Sequence, residues 1–130
     1  MQPSNSYRIF IDDIRIPDDA FSYSNHPSYI LDEWVIVRSY DEFIKEVVYR
    51  GLPDTISFDH DLGFIYNDES VDTAELHLEK TGYDCAKWLI NYCIDNSLSL
   101  PKYLIHSRNP VGAENIQRLL DNFNRFSISN

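Results

Sequence analysis

Short apolar runs alternate along the chain with stretches whose apolar positions recur at helical spacing. Tyr7-Arg8-Ile9-Phe10-Ile11 is apolar and β-prone and predicts a first strand. It ends on Asp12-Asp13, and Ile14-Arg15-Ile16-Pro17 with Asp18-Asp19 predicts an exit into a loop. Between Phe21 and Glu33, Asn25-His26-Pro27 among Ser and Tyr residues is turn chemistry, and no regular element is assigned there. His26 reads as a surface-loop histidine. Trp34 to Tyr40 predicts a second strand, and Ser39 or Asp41 can cap a helix over Glu42 to Tyr49. That helix would bury Phe43, Ile44, Val47 and Val48, with Gly51 ending it.

The third strand is the run Ile56-Ser57-Phe58, which opens at once into Asp59-His60-Asp61-Leu62-Gly63. Residues 64–80 carry Asp68, Glu69, Asp72, Glu75 and Glu79 with little apolar periodicity, so they read as a solvated acidic loop or as a lid or specificity loop. Thr81-Gly82-Tyr83-Asp84 leads into a helix with an apolar stripe of Cys85, Ala86, Trp88, Leu89, Tyr92 and Cys93, ending at Asn96-Ser97. Pro101 precedes a last strand, Tyr103-Leu104-Ile105, which ends on His106-Ser107-Arg108-Asn109-Pro110-Val111-Gly112. A final helix over Ala113 to Asn124 would bury Ile116, Leu119, Leu120 and Phe123.

This order of elements predicts an α/β fold: a doubly wound parallel sheet of about four strands with crossover helices. The length of 130 residues suits one domain spanning residues 1–130, and 43% hydrophobic residues are enough for one core. The formal charge of −10 disfavours coating duplex nucleic acid, yet leaves room for a small phosphorylated ligand, because a bound cation and local donors can reverse the field. Cys85 and Cys93 are eight residues apart on one predicted helix, too far for a disulfide, and read as reduced core thiols of a cytoplasmic protein. No apolar run reaches the length of a signal peptide or a membrane span, so no membrane partner is expected.

The candidate chemistry sits where strands end. In a doubly wound sheet, the ends of the first, third and fourth strands lie on one edge, where ligands bind. Asp12-Asp13, Asp59-His60-Asp61 and His106-Ser107 would then share one crevice. The oxygens of Asp12 or Asp13 and of Asp59 or Asp61 suit a hard divalent cation, Mg²⁺ or Mn²⁺. Which carboxylate of each pair faces inward is open, because alternate strand residues face opposite ways. His60 and His106 can act as general acid and base, or be structural. Ser107, Asn109 and the first amides of the last helix can bind phosphate oxygens, Gly112 allows close backbone approach, and Asn115 lies within reach. Arg15 can neutralise a phosphate or pair with an acidic neighbour. Tyr23, Phe64, Tyr66 and Tyr83 can stack on a base or simply pack.

Four segments together resemble the cyclic-phosphate processing receiver-like domain family. They are Ile11-Asp12-Asp13-Ile14-Arg15-Ile16-Pro17, Phe58-Asp59-His60-Asp61-Leu62-Gly63, Thr81-Gly82-Tyr83-Asp84 with Trp88-Leu89, and His106-Ser107 with Asn109-Pro110, Gly112 and Asn115. The resemblance implies a three-layer receiver-like (flavodoxin-like) fold, a bacterial or phage setting, and processing of cyclic phosphates in nucleotide or RNA-end metabolism. Asp12-Asp13 and Asp59 resemble the acidic pair and phosphoacceptor of ordinary receivers. Ser107 matches the hydroxyl after the fourth strand, but no fifth strand with its Lys is found, and His60 and His106 enter instead. These departures disfavour a phosphorylation switch. The expectation is a metal-assisted phosphoesterase acting on a cyclic phosphate or cyclic nucleotide-like substrate, with His60, His106 and Asp59 as its catalytic residues. A covalent route through Asp59 is a variant. The alternatives are a non-catalytic nucleotide-binding module that sequesters its ligand, and a receiver-type signalling or interaction domain.

Overall fold

The computed structural model describes residues 7–62 and 80–129. Their chain order is β1 (Arg8–Ile11), α1 (Pro17–Ser24), α2 (Ser28–Leu31), β2 (Val35–Val37), α3 (Tyr40–Arg50), β3 (Thr55–Phe58), α4 (Gly82–Asp95), β4 (Lys102–Ile105) and α5 (Pro110–Ser129). The proposed lid or specificity loop at 64–80, with Phe64, Tyr66 and all but Lys80 of that stretch, lies outside the described residues, as does Gly63.

The strands form one parallel four-stranded sheet in the order β2-β1-β3-β4. Strand alternation divides the core into two faces. Ile9, Ile11, Ile56 and Phe58 point to one face, where Phe43 and Val47 of α3, Cys85, Ala86, Leu89 and Cys93 of α4, and Ile116 and Leu120 of α5 close over them. Phe10 points to the other face and packs with Ala20 of α1 and Tyr29 of α2, edged by Trp34, Ile36 and Leu104. The result is a receiver-like, three-layer sandwich. Burying each large apolar side chain of these clusters contributes about 1.5–3 kcal/mol. No helix among the described residues is long and apolar enough to cross a membrane.

Several boundaries differ from the sequence reading for identifiable reasons. Pro17 does not lead into a loop. It is the first residue of α1, where its missing N–H costs nothing, and Asp19 accepts the Ile16 N–H at 3.0 Å. Asn25, at φ 60°, closes α1, and α2 follows after two residues, so the unassigned segment 21–33 is largely helical. The turn-forming residues there are caps. Ser39 caps α3 by accepting the Glu42 N–H at 3.1 Å, and Gly51, at φ 89°, ends it. The last helix starts at Pro110 rather than Ala113 and runs to Ser129, because Asn109 is its cap: its backbone oxygen takes the Ala113 N–H at 2.8 Å. Asn115 is therefore in the second turn, not the first. Cys85 and Cys93 are buried free thiols, and His26 is exposed.

The chain leaves β1 in one direction towards β2 and leaves β3 in the other towards β4. The crossovers use opposite faces of the sheet: α1 and α2 on one, α3 and α4 on the other. The direction therefore switches between the carboxyl ends of β1 and β3, the position at which such sheets open a crevice.

Candidate active site

Asp12 and Asp59 are the first residues beyond β1 and β3, and His106 is the first beyond β4. Backbone bonds hold these positions level: the Asp12 N–H donates to the Val37 carbonyl at 3.1 Å, Asp59 to Ile11 at 3.0 Å and His106 to Phe58 at 3.0 Å. One ligand atom from each of Asp12, Asp59 and His106 lies within 4.8 Å of the others. All three residues are buried, at 0%, 4% and 1% exposure.

Asp12 closes the strand by folding the chain back on its own carboxylate. Its Oδ1 accepts the N–H groups of Ile14 at 2.9 Å and Arg15 at 2.8 Å. Its Oδ2 meets His106 Nε2 at 3.0 Å, with Arg15 at 3.8 Å. Burial alone would raise the Asp12 pKa, but the His106 hydrogen bond and the two backbone donors outweigh it, and the carboxyl sits below its ordinary range. Asp12 is therefore ionised near neutrality.

An ionised carboxylate only accepts, so His106 Nε2 carries the proton shared with Asp12. Burial holds the His106 pKa below its ordinary value against the pull of Asp12, so the ring is neutral and its Nδ1 is an acceptor. The donor is Ser57 Oγ at 2.7 Å, and Ser57 in turn lies 2.6 Å from the hydroxyl of Tyr29, whose pKa burial pushes up to about 12. The chain Tyr29–Ser57–His106–Asp12 is thus a one-directional run of hydrogen bonds with every member satisfied. Phe10 stacks on the imidazole with centroids 4.2 Å apart and planes 8° apart, fixing the ring plane.

Asp59 is in a different state. It accepts the His60 N–H at 2.9 Å, but among the described residues no side chain donates to it as His106 donates to Asp12. Burial and the nearby Asp12 charge push its pKa up from 3.8 to about 7. Two buried carboxylates side by side, one of them resisting ionisation, form a site short of positive charge. All-oxygen donors from Asp12 and Asp59 fit Mg²⁺ or Mn²⁺, while a nitrogen from His106 would first have to surrender the proton it shares with Asp12.

A cleft of about 320 Å³ opens above this floor, lined by Asp13, Ile14, Arg15, Asp59, Asp61, Arg108 and Asn109. Within the acidic pairs, Asp12 is the buried member and Asp13 lines the mouth; Asp59 is the buried member and Asp61 sits at the rim, with its side chain 60% exposed. His60 is beside the cleft, with Nδ1 2.8 Å from Asp61 Oδ1. Its ring lies against Gly112, where a Cβ would come within 2.4 Å of the imidazole Cγ. Gly112 thus admits the close approach of His60, and its N–H is donated to Asn109 Oδ1 at 3.0 Å. Gly82 works likewise at the start of α4: a Cβ there would lie 1.7 Å from the Asp59 carbonyl oxygen, and the Gly82 N–H donates to His60 O at 2.7 Å. Thr81 and Asp84 cap this helix reciprocally, with Thr81 N–H to Asp84 Oδ2 at 2.8 Å, which presses α4 onto the Asp59 turn.

Ser107 and Asn109 are engaged in shaping the start of α5. Ser107 Oγ accepts the Asn109 N–H at 3.1 Å, and Asn109 Nδ2 leans 3.4 Å from Asp61. Of the first-turn amides, Pro110 has no N–H, and those of Gly112 and Ala113 go to Asn109. Only the Val111 amide remains of the predicted anion-binding helix end. Asn115 is exposed in the second turn and does not line the cleft.

Three participants escaped the sequence reading. Ser57 was hidden as a single hydroxyl inside an apolar strand, and Tyr29 lay in the segment without an assigned element. Arg108 lines the cleft directly after the His106-Ser107 pair. A polar residue at an inward position of a fully buried strand was the available sign for Ser57.

Comparison with known proteins bears on the chain as a whole. The profile of the cyclic-phosphate processing receiver domain matches residues 7–122, so every described site residue falls inside it. Searches of curated proteins and of solved structures gave no match. The chain belongs to the cyclic-phosphate processing receiver domain family.

Proposed function

From that membership we propose that the protein is a metal-assisted phosphoesterase that opens a cyclic phosphate, on a small cyclic nucleotide-like substrate. The observation that carries the reading is the joining of Asp12, Asp59 and His106 within 4.8 Å beneath a cleft that also presents Arg15. Asp12 and Asp59 would hold the cation, with Asp13 and Asp61 at its outer side. When bound, the cation supplies charge neutralisation for the phosphate and acidifies a water.

The chain's own groups divide the remaining work. Arg15 binds non-bridging phosphate oxygens. His106 is a positioning residue that keeps Asp12 ionised and aimed, rather than a proton carrier, because both of its ring nitrogens are engaged. His60, oriented by Asp61, accepts the proton of the attacking water. The water oxygen forms a new P–O bond in line with the ring P–O bond that breaks. The leaving oxygen takes a proton from solvent and His60 returns its proton to solvent, so one water is added across the bond. Ser107, Asn109 and Gly112 support this by setting the start of α5 and the seat of His60. The buried reduced thiols Cys85 and Cys93 support a cytoplasmic setting.

The test is incubation of the protein with cyclic mononucleotides, cyclic oligonucleotides and RNA ends bearing cyclic phosphates, with and without Mg²⁺ or Mn²⁺, read by mass. The expected outcome is a linear product that requires metal and disappears in Asp59→Asn and in His60→Ala. Recovery of a bound ligand intact would instead identify a sequestering module. An aspartyl phosphate formed from a small phosphodonor, with no turnover of any cyclic phosphate, would identify a signalling domain.

A further inference from the structure

Two guanidinium groups converge on one ring at the mouth of the cleft. Arg108 Cζ lies 5.0 Å and Arg15 Cζ 5.8 Å from the centroid of Tyr23. The ring cannot drift, because the Tyr23 hydroxyl donates to the His106 backbone carbonyl, which ties α1 to the end of β4. In a chain with 11 Lys and Arg against 21 Asp and Glu, gathering like charges over a single tyrosine asks for a compensating anion. Arg15 has part of one in Asp12. Arg108 is exposed and forms no ion pair among the described residues, although Asp13, Asp59 and Asp61 line the same cleft.

The two arginines also work at different depths. Arg15 reaches down to Asp12 Oδ2 at 3.8 Å on the floor, whereas Arg108 is exposed and lies over Tyr23. A guanidinium held over an aromatic face keeps its N–H edge available for planar recognition of phosphate oxygens.

We propose that Arg108, stacked on Tyr23, is a specificity residue that grips a second phosphate group, so that the preferred ligand carries a cyclic phosphate at the floor and a further phosphate at the mouth. This rests on the cyclic-phosphate reading for its inner half; the outer half stands on the arginine pair itself. Such a ligand is a nucleoside cyclic phosphate that is also phosphorylated elsewhere on the sugar, or the terminal unit of a cleaved strand.

Binding of adenosine 2′,3′-cyclic monophosphate and of its 5′-phosphorylated counterpart is compared by calorimetry in the wild type, Arg108→Ala and Arg108→Lys. Pyrophosphate is followed separately through the arginine side-chain NMR signals. The added phosphate is expected to tighten wild-type binding about tenfold, and Arg108→Ala to remove most of that gain while weakening the unphosphorylated ligand about threefold or less. Arg108→Lys, which keeps charge without the planar stack, should recover only part of it. Equal wild-type affinity for the two nucleotides, or a gain that survives in Arg108→Ala, overturns the assignment and leaves the cyclic-phosphate reading intact. If neither nucleotide binds, that reading fails and pyrophosphate decides the outer site. An Arg108-dependent shift sustains it, and no shift overturns it.

Discussion

The molecule contains the same two side chains, a histidine and an aspartate, paired twice within one site, and the surroundings give the pairs opposite characters. His106 and Asp12 are both 0% exposed at their side chains; His60 and Asp61 are 20% and 60% exposed. The inner imidazole has both nitrogens bonded and one ring face covered by Phe10. It is a strut. The outer imidazole has one nitrogen on Asp61, packs on a glycine and is partly exposed to water. Identity of residue type therefore says little about role; the number of satisfied ring nitrogens and the access of water say more.

The sharpest way to break this contrast is truncation. His106→Ala should cost about 3–5 kcal/mol, because it leaves Ser57 and Asp12 buried without their partner and opens a cavity beside Phe10. His60→Ala should cost about 1 kcal/mol or less, since its partner Asp61 stays hydrated. Urea unfolding of the two variants measures both, and similar losses would remove the distinction between the buried pair and the outer one.

The next largest effect concerns the charge that the inner pair does not neutralise. A folded-state Asp59 pKa of about 7, against 3.8 for an unperturbed carboxyl, means that the native state binds a proton more tightly than the unfolded chain. Its contribution is present below about pH 4 and lost as pH rises to about 7. His106, whose folded pKa is lowered, acts in the opposite sense: its contribution is present above its ordinary pKa and lost as pH falls below it. Asp59→Asn, measured without metal, should gain about 2–4 kcal/mol at pH 8, with the gain vanishing near pH 4. Thermal melts across that range test it, and a gain independent of pH would refute the charge explanation. Mg²⁺ or Mn²⁺ should raise the melting temperature of the wild type and leave Asp59→Asn unmoved.

Gly112→Ala sharpens the outer half. The new Cβ would sit 2.4 Å from the His60 ring, so the imidazole must rotate or α5 must retreat. About 1–2 kcal/mol of stability is expected to go, together with most of any turnover, while metal binding persists. Asp61→Asn should be smallest, within about 1 kcal/mol in stability, with its effect confined to the pH profile of turnover.

Much of this site could be read from the chain. Asp12, Asp59 and His106 each follow a short apolar run, and the order of strands and helices was enough to bring three separate strand ends to one edge. What could not be read was which member of each acidic pair turns inward. That depended on the Asp12 carboxylate capturing the Ile14 and Arg15 amides, a contact set by the turn and not by residue type. Ser107 and Asn109 were recognisable as polar groups at a helix start, yet Asn109 caps that helix through the Gly112 N–H and Ser107 takes the Asn109 N–H, because a helix end satisfies its own amides wherever a local acceptor is present.

By itself, the sequence determined the four strands, the helices α3, α4 and α5, and their layering, though not α1 and α2. Alternation in Ile9-Phe10-Ile11 and Ile56-Ser57-Phe58 and helical spacing in Phe43-Val47 and Cys85-Leu89-Cys93 are local patterns that burial must obey. Only the tertiary structure decided the partners of the charges. Ser57 and Tyr29 are 28 residues apart and Asp12 and His106 94 apart, so nothing local links them. Desolvation and hydrogen bonding act through space, and they alone made one histidine a fixed support and left the other at the water's edge.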